Sequence, residues 1–401
     1  MNKIPRNVWV VTITSFLTDV SSEMLVNLLP LFLTNVLGVG TAVVGLIEGV
    51  AETTASLLKV YSGALSDRLG KRKRLAVIGY GLSACSKPFL YFANSWGMVL
   101  AVRFTDRVGK GVRTAPRDAL LADSIEPARR GLVFGLHRAG DTAGAFIGLA
   151  IAALIIWLTQ AGSAQLSRET FQIVVIASVI PGLLAVLILA LGARETASQS
   201  TPDRKNELSL VTLNRHFLAF LGVVVLFTLG NSSDAFIILR AQERGLSVLQ
   251  VMGMLLTFNA VYTILSTPAG ALSDQIGRRK VLLAGWMVYG LVYLGFARAQ
   301  TGWQVWLIYA FYGMYYALTE GTARAMVADL VPQVQRGRAY GLFHGAIGLA
   351  AFPASLIAGL LWQGVGGWSG FGPQAPFYFG ATLALLAGVL LWRMGDSIKP
   401  E

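Results

Sequence analysis

Gly63-Ala-Leu-Ser-Asp-Arg-Leu-Gly-Lys-Arg-Lys73 returns 207 positions later as Gly270-Ala-Leu-Ser-Asp-Gln-Ile-Gly-Arg-Arg-Lys280. Both copies lie where an apolar stretch ends. A short polar loop that recurs at half the chain length marks two related halves. The apolar stretches around it place those halves in a bilayer. The repeat runs further. Arg130-Gly-Leu-Val-Phe-Gly-Leu136 corresponds to Arg336-Gly-Arg-Ala-Tyr-Gly-Leu342, and Ala122-Asp123 to Ala328-Asp329. Ser21-Ser-Glu23 corresponds to Ser232-Ser-Asp234.

Of the 401 residues, 54% are hydrophobic and only 13% charged, against about 25% charged in soluble domains. Hydropathy gives about twelve spans of roughly 20 residues, the length that crosses a hydrocarbon core. Their bounds are 8–36, 41–66, 74–94, 96–120, 131–158, 170–192, 216–240, 247–271, 280–298, 303–326, 338–363 and 375–394. Lipid satisfies no open sheet edge, so the spans are helices. The fold expected is all-α and integral to the membrane, two pseudo-symmetric six-helix bundles at 1–192 and 216–401. The polar stretch 193–215 tethers them. The first span lacks a cleavage site and is read as a retained helix.

Basic residues cluster in alternate loops: Lys71 to Arg74, Arg129 and Arg130, Arg194, Arg204, Lys205, Arg215, and Arg278 to Lys280. The opposite loops hold only Arg168, Arg240, Arg244 and Arg298. This bias puts both termini in the cytoplasm, and the prokaryotic inner membrane is the expected location. It also accounts for most of the net charge of +12 as topology, so no nucleic-acid partner is expected. The lone Cys85 reads as a buried small hydrophobe. Three histidines and one cysteine give no metal cage.

The layout resembles the major facilitator superfamily over the whole chain. The loop at 63–73, with its weaker copy at 270–280, is the residue pattern that carries the resemblance. It implies a secondary transporter working by alternating access, with a substrate cavity between the bundles lined by spans 1, 2, 4, 5, 7, 8, 10 and 11. It also implies a cytoplasmic gate at Gly63, Asp67, Arg68, Gly70, Gly270, Asp274 and Arg278. Gly63 and Gly270 would admit a neighbouring helix. Asp67 and Asp274 would hold a helix N-terminus or a basic partner. In span 4, Arg103-Phe-Thr-Asp-Arg-Val-Gly-Lys-Gly111 looks like the family's motif whose arginine serves proton coupling, here Arg103. Gly140, Gly144 and Gly148 in span 5 partly match the motif of drug:proton antiporters, with Ala145 where the family usually has proline.

Ionisable groups in spanning helices point to function, and here they are lopsided. The first half carries Asp19, Glu23, Glu48, Glu52, Asp106 and Asp141 against Lys87, Arg103, Arg107 and Arg138, two more acids than bases. Uncompensated carboxylates in a low dielectric cost several kcal/mol each, so one or two are expected to bind a proton. Asp19 and Glu23 are read as the carriers, with Arg103 and Arg107 as partners and Asp106 beside them. Steps of three, four and seven put these residues on helix faces that converge. Glu48, Glu52, Arg138 and Asp141 complete that wall of the cavity. The second half offers Asp234 and Asn259 with the aromatics Phe258, Tyr262, Phe311, Tyr312, Tyr315 and Tyr316.

The function expected is proton-coupled efflux of an amphiphilic small molecule. An uptake symporter or exchanger for a small organic anion, and a lipid-handling or non-transporting membrane protein, are the alternatives. No phosphate-binding loop of the Gly-x4-Gly-Lys-Ser/Thr type is present. The proton gradient is the energy source, no cofactor and no enzymatic step are expected, and the chain is read as a monomer in lipid.

Overall fold

Pro30 interrupts the first apolar run, because it has no N–H for the carbonyl of Val26. In the computed structural model, which describes residues 4–69, 71–125, 130–195, 214–332 and 336–394, α1 (Arg6–Val26) ends there. The chain resumes as α2 (Leu29–Leu31) and a π turn at Phe32–Val36. Long helices follow: α3 (Thr41–Leu69), α4 (Arg72–Ser86) running into a tighter turn at Lys87–Phe92, α5 (Trp96–Asp123), α6 (Arg130–Gln160) and α7 (Arg168–Gly192). Ser95 and Ser167 cap α5 and α7, as short hydroxyl side chains do at orphan N–H groups.

The second half begins with α8 (Arg215–Gly230) and α9 (Ala235–Glu243), one expected span broken at 231–234. The sequence there, Asn-Ser-Ser-Asp, competes with the backbone for its own hydrogen bonds. The freed groups find partners. Tyr289 Oη donates to Gly230 O at 2.9 Å, and Ser355 Oγ accepts from Ser233 N at 3.2 Å. Then come α10 (Val248–Ile276), α11 (Arg278–Arg298), α12 (Gly302–Leu330), α13 (Arg336–Gln363) and α14 (Ala375–Arg393). Ser247 with Gln250, and Thr301 with Gln304, form capping boxes at α10 and α12. Among the described residues there is no strand, only the isolated bridge Val365–Trp368.

Nine helical segments are long and apolar enough to cross a membrane by length and composition among the described residues. The rods that fall short are α4, α5 and α12. The first has only 15 residues, the second is studded with charge, and the third is rich in tyrosine. Large apolar side chains face outward, Leu158, Ile180, Leu191 and Leu291 among them, which suits lipid rather than water. Exposed tryptophans lie near helix ends: Trp9 in α1, Trp96 in α5, Trp157 in α6, Trp303 in α12 and Trp392 in α14. That is the interfacial position of an amphipathic ring.

The chain divides into two units, 1–39 with 50–206, and 40–49 with 207–401. Their internal packing repeats. In the first, α1 lies on α6 and α7, and α4 on α5; in the second, α8 lies on α13 and α14, and α11 on α12. The second unit also takes in the start of α3. There Thr41 N donates to Gln363 Oε1 at 2.8 Å, and Thr41 Oγ1 to Gly359 O at 3.2 Å.

Three expectations need correction. Cys85 is exposed on α4 rather than buried; an outward face of this helix meets lipid, so an apolar stretch does not imply a buried side chain. Arg240 is not in a loop. It lies in α9 with no exposed surface, donating to the carbonyls of Phe296, Ala297 and Ala299 at 3.0, 3.0 and 3.3 Å. Nε and Nη2 of its guanidinium cap the end of α11, and Nη1 meets Glu243 at 2.5 Å, which balances the charge. Gly270 admits no neighbour, since a methyl group there would meet nothing within 4 Å among the described residues.

Close approach occurs instead along α6. A Cβ at Gly140 would lie 2.8 Å from Thr12 Cγ2, one at Gly144 would overlap Phe16 O, and one at Gly148 would lie 2.5 Å from Val20 O. Glycines at steps of four thus seat α1 directly on α6. Gly144→Val is expected to push α1 off this seat and cost about 1–3 kcal/mol. Thermal unfolding in detergent measures it, with Gly135→Val, which faces open space, expected to leave the melting temperature unchanged.

Candidate functional site

The first unit folds its charges inward. Asp19, Glu23 and Asn27 follow one face of α1 at steps of four, and Asn27 Nδ2 donates to Glu23 Oε2 at 2.9 Å. Lys87, 4% exposed, turns into the bundle. Its Nζ donates to Ser21 Oγ at 2.8 Å and Ser22 Oγ at 2.9 Å. On α5, Arg103, Asp106, Arg107 and Arg113 are all buried. Arg107 lies 3.4 Å from Glu52, and Arg103 lies 4.0 Å from Asp106 one turn on. The arginines expected beside Asp19 and Glu23 therefore have acids of α3 and α5 as close neighbours.

Gly79 and Gly109 bring α4 and α5 into backbone contact; a Cβ on Gly109 would lie 2.5 Å from Gly79 O. That proximity lets Arg113 bond Ser83 Oγ at 2.8 Å and place its guanidinium 4.5 Å from the Tyr80 ring centre. Tyr80 Oη and Ser15 Oγ are 3.1 Å apart, and Arg117 donates to Ser15 Oγ at 3.0 Å and to Asp118 Oδ1 at 2.8 Å. Asp19 stands within electrostatic reach of both Glu23 and Asp141. Asp141 also lies 3.7 Å from His137 Nε2. Glu48 is buried on the segment of α3 that belongs to the second unit, and Arg138 is exposed.

Aromatic rings line the second unit. Tyr289 and Tyr293 stack at 4.0 Å, Phe258 and Tyr309 at 5.0 Å, and Tyr316 meets Phe258 edge-on at 5.4 Å. Tyr312 and Tyr315 are buried behind them, while Phe258, Tyr262 and Tyr316 are half-buried. Tyr312 Oη donates to Asp234 Oδ1 at 2.8 Å, and Asn231 Nδ2 to Tyr315 Oη at 3.3 Å. Tyr262 Oη bonds Glu320, which also accepts from Arg324 at 2.6 Å. Asn259 turns back to Leu255 O of its own helix at 3.0 Å. Phe311, 54% exposed, points outward and leaves this cluster.

At the loop motif, the side chains of Asp67 and Arg68, the surroundings of Gly63, and Gly70 itself lie outside the described residues. The ion pairs seen nearby use other positions. Arg72 bonds Asp123 and donates to Ala119 O at 3.1 Å, which pins α4 to the end of α5. In the second unit Arg278 bonds Asp329 at 2.5 Å and Asp274 at 3.1 Å. Arg72 and Arg278 are 206 positions apart, and so are Asp123 and Asp329. One bridge thus occurs twice, each time inside its own unit. The repeated Ala-Asp pair carried that signal in the sequence. His137 and Tyr80 had no comparable one, because neither has a counterpart or a motif.

The whole-chain comparison agrees with this architecture. The model of the Major Facilitator Superfamily matches residues 11–255 and 218–401. The chain belongs to that superfamily. An uncharacterized MFS-type transporter of Methanocaldococcus jannaschii is 38% identical over 97% of this chain and 95% of its own. Multidrug resistance protein 2 of Bacillus subtilis is 27% identical over 47% of this chain and 43% of its own. Among solved structures, a nucleoside transporter superposes with a TM-score of 0.81 at 13% identity, over 97% of this chain and 100% of that one. A D-xylose–proton symporter does so with 0.76 at 16% identity, over 99% of each. At such identity these two speak for the fold alone. This superfamily member is an integral membrane transporter.

The repeated bridge gives a quantitative expectation. Arg72 and Asp123 are 10% and 21% exposed, Arg278 and Asp329 31% and 44%. Exposed pairs contribute about 0–1 kcal/mol, and removal of one partner from a more buried pair costs more. Double-mutant cycles are expected to give a coupling energy for Arg72–Asp123 at least about twice that of Arg278–Asp329. Thermal unfolding of the four variants of each cycle measures both.

Proposed function

We propose that this transporter exports an amphiphilic small molecule in exchange for protons, by alternating access. The observation that carries the reading is the set of carboxyls inside the first unit: Asp19 and Glu23 stand one turn apart on α1, and Asp141 stands on α6, the helix on which α1 is seated. Like charges so placed favour occupancy by a proton. An acid that gains or loses its proton as its surroundings change couples proton movement to conformation. Arg103 with Asp106, and Arg107 with Glu52, supply neighbouring charges whose separation would alter that balance.

The substrate reading rests on the second unit. Phe258, Tyr262 and Tyr316 present π faces, and Asp234 and Glu320 supply polar ends. A molecule with an apolar body and a polar head matches both. Outward direction is supported by the glycine stripe of α6 and by the printed name of the Bacillus relative. The proton gradient supplies the energy, and no cofactor takes part. The halves 1–192 and 216–401 act as the moving bodies with 193–215 as their tether. The distribution of basic loops supports a reading with both termini in the cytoplasm of a prokaryotic cell.

Inverted membrane vesicles with an acidic interior test this. A panel of fluorescent amphiphiles is expected to include compounds that accumulate inside, and a protonophore is expected to abolish the accumulation. Asp19→Asn is expected to reduce it at least about tenfold with unchanged folded yield. Accumulation only in right-side-out vesicles would show uptake instead, and accumulation that survives both the protonophore and Asp19→Asn would refute proton coupling.

A further inference from the structure

Packing of α1 on α6 sets a register that the sequence does not reveal. Gly140 faces Thr12, Gly144 faces Phe16 and Gly148 faces Val20. Each contact has the same offset of 128, so the two helices run parallel. By this offset Asp141 lies level with Ile13 and His137 level with Trp9. Glu23, Asp19, Asp141 and His137 then descend through the first unit at steps of four, six and four residues, or about 6, 9 and 6 Å of helical rise. The exposed indole of Trp9 marks the bottom of the series as the membrane boundary.

His137 is 4% exposed, and neither ring nitrogen has a hydrogen-bond partner among the described residues. Asp141 Oδ1 is likewise without one. Buried polar atoms left this way lose the hydrogen bonds they would make in water. A leucine would fill the same volume without that cost, so packing does not account for a histidine here. Buried unsatisfied groups of this kind call for a chemical explanation.

We propose that His137 is the proton-transfer residue that links Asp19 and Asp141 to the end of the first unit where α5 gives way to α6. This role rests on the proton-coupled reading above. Asp141 Oδ2 is 3.7 Å from His137 Nε2, and a movement of under about 1 Å brings them into hydrogen-bond range. Asp141 in its acid form gives its proton to Nε2, leaving a carboxylate beside an imidazolium. The imidazolium then releases a proton to the Asp118 carboxylate or to water and returns to neutral imidazole. The side chain of Asp118 is 41% exposed and held by Arg117, which makes it the exit.

The groups around the pair are Arg117 and Asp118 from α5, which face the ring, and Arg113 from α5, which faces Asp141. Arg138 of α6 is near both, Ser15 of α1 lies beside Asp141, and Tyr80 of α4 meets Ser15. Asp19 completes the set from α1. Asp118 gives a proton that leaves the ring a destination.

The test needs no substrate. The full chain is reconstituted in one orientation, and the medium on the α5–α6 side is acidified or made basic in a jump. Time-resolved infrared absorption follows the carboxylic acid C=O band. His137→Gln is expected to reach the wild-type amplitude at least about tenfold more slowly. With the jump on the opposite side its rate is expected to stay within about twofold of wild type, a difference that a merely structural histidine would not produce. Added imidazole is expected to restore the rate of His137→Ala, the variant read if His137→Gln does not fold. A wild-type rate in His137→Gln, slowing from both sides, or no rescue overturns the relay. If Asp19→Asn loses part of the band while His137→Gln keeps its rate, the relay alone fails. If the wild-type protein shows no carboxyl band that responds to the jump, the proton-coupled reading fails and the relay with it.

Discussion

Hydrocarbon solvates no charge and satisfies no hydrogen bond, and this one constraint organises both units. A polar group at depth has only the protein to partner it. Arg240 meets it by capping the end of α11 with three carbonyls. Lys87 meets it with two serines of α1. The break at 231–234 survives because Tyr289 and Ser355 take up the backbone groups it frees. None of these contacts needs the chemistry of transport. They let a spanning helix carry a lysine, an arginine or a break at all, and so give the functional groups a place to stand.

The two halves share this frame and differ in what they mount on it. The bridge Arg72–Asp123 recurs as Arg278–Asp329, and the order of helix packing recurs with it. Inside the frame the halves part. The first half uses arginines, lysine and carboxylates, whose partners are opposite charges and hydroxyl groups. The second uses tyrosines, which stack through ring faces and close their polar ends with Asp234 and Glu320. Duplication explains the shared contacts. The divergence follows from a division of labour that a repeat permits.

Most of the architecture was legible because its signals are periodic or repeated. Spans follow from the length of apolar runs, halves from the loop at 63–73 and 270–280. The glycine stripe of α6 was readable as a packing face, though not which helix it would meet. Pairings were less legible. Arg107 lies beside Glu52 of α3, a pairing that spacing alone does not give, because the helix faces are known from spacing but their relative rotation is set by packing. Arg240 was misplaced because a single arginine near the end of an apolar run reads as a loop residue. Its capping role depends on carbonyls 56 to 59 positions away. Cys85 was misplaced for the opposite reason, since apolarity in a membrane protein marks the outside as often as the core.

Glycine packing and charge placement are therefore one problem in the first unit. The separations of Asp19 from Asp141 and from His137 are not set by either helix alone, for Asp19 lies on α1 and the other two on α6. They are set by where α1 rests on α6, and Gly140, Gly144 and Gly148 decide that. A slide of one helical residue would change each separation by about 1.5 Å, as much as separates a hydrogen bond from a gap. A stripe of residues with no side chains thus controls the distances over which the ionisable ones act.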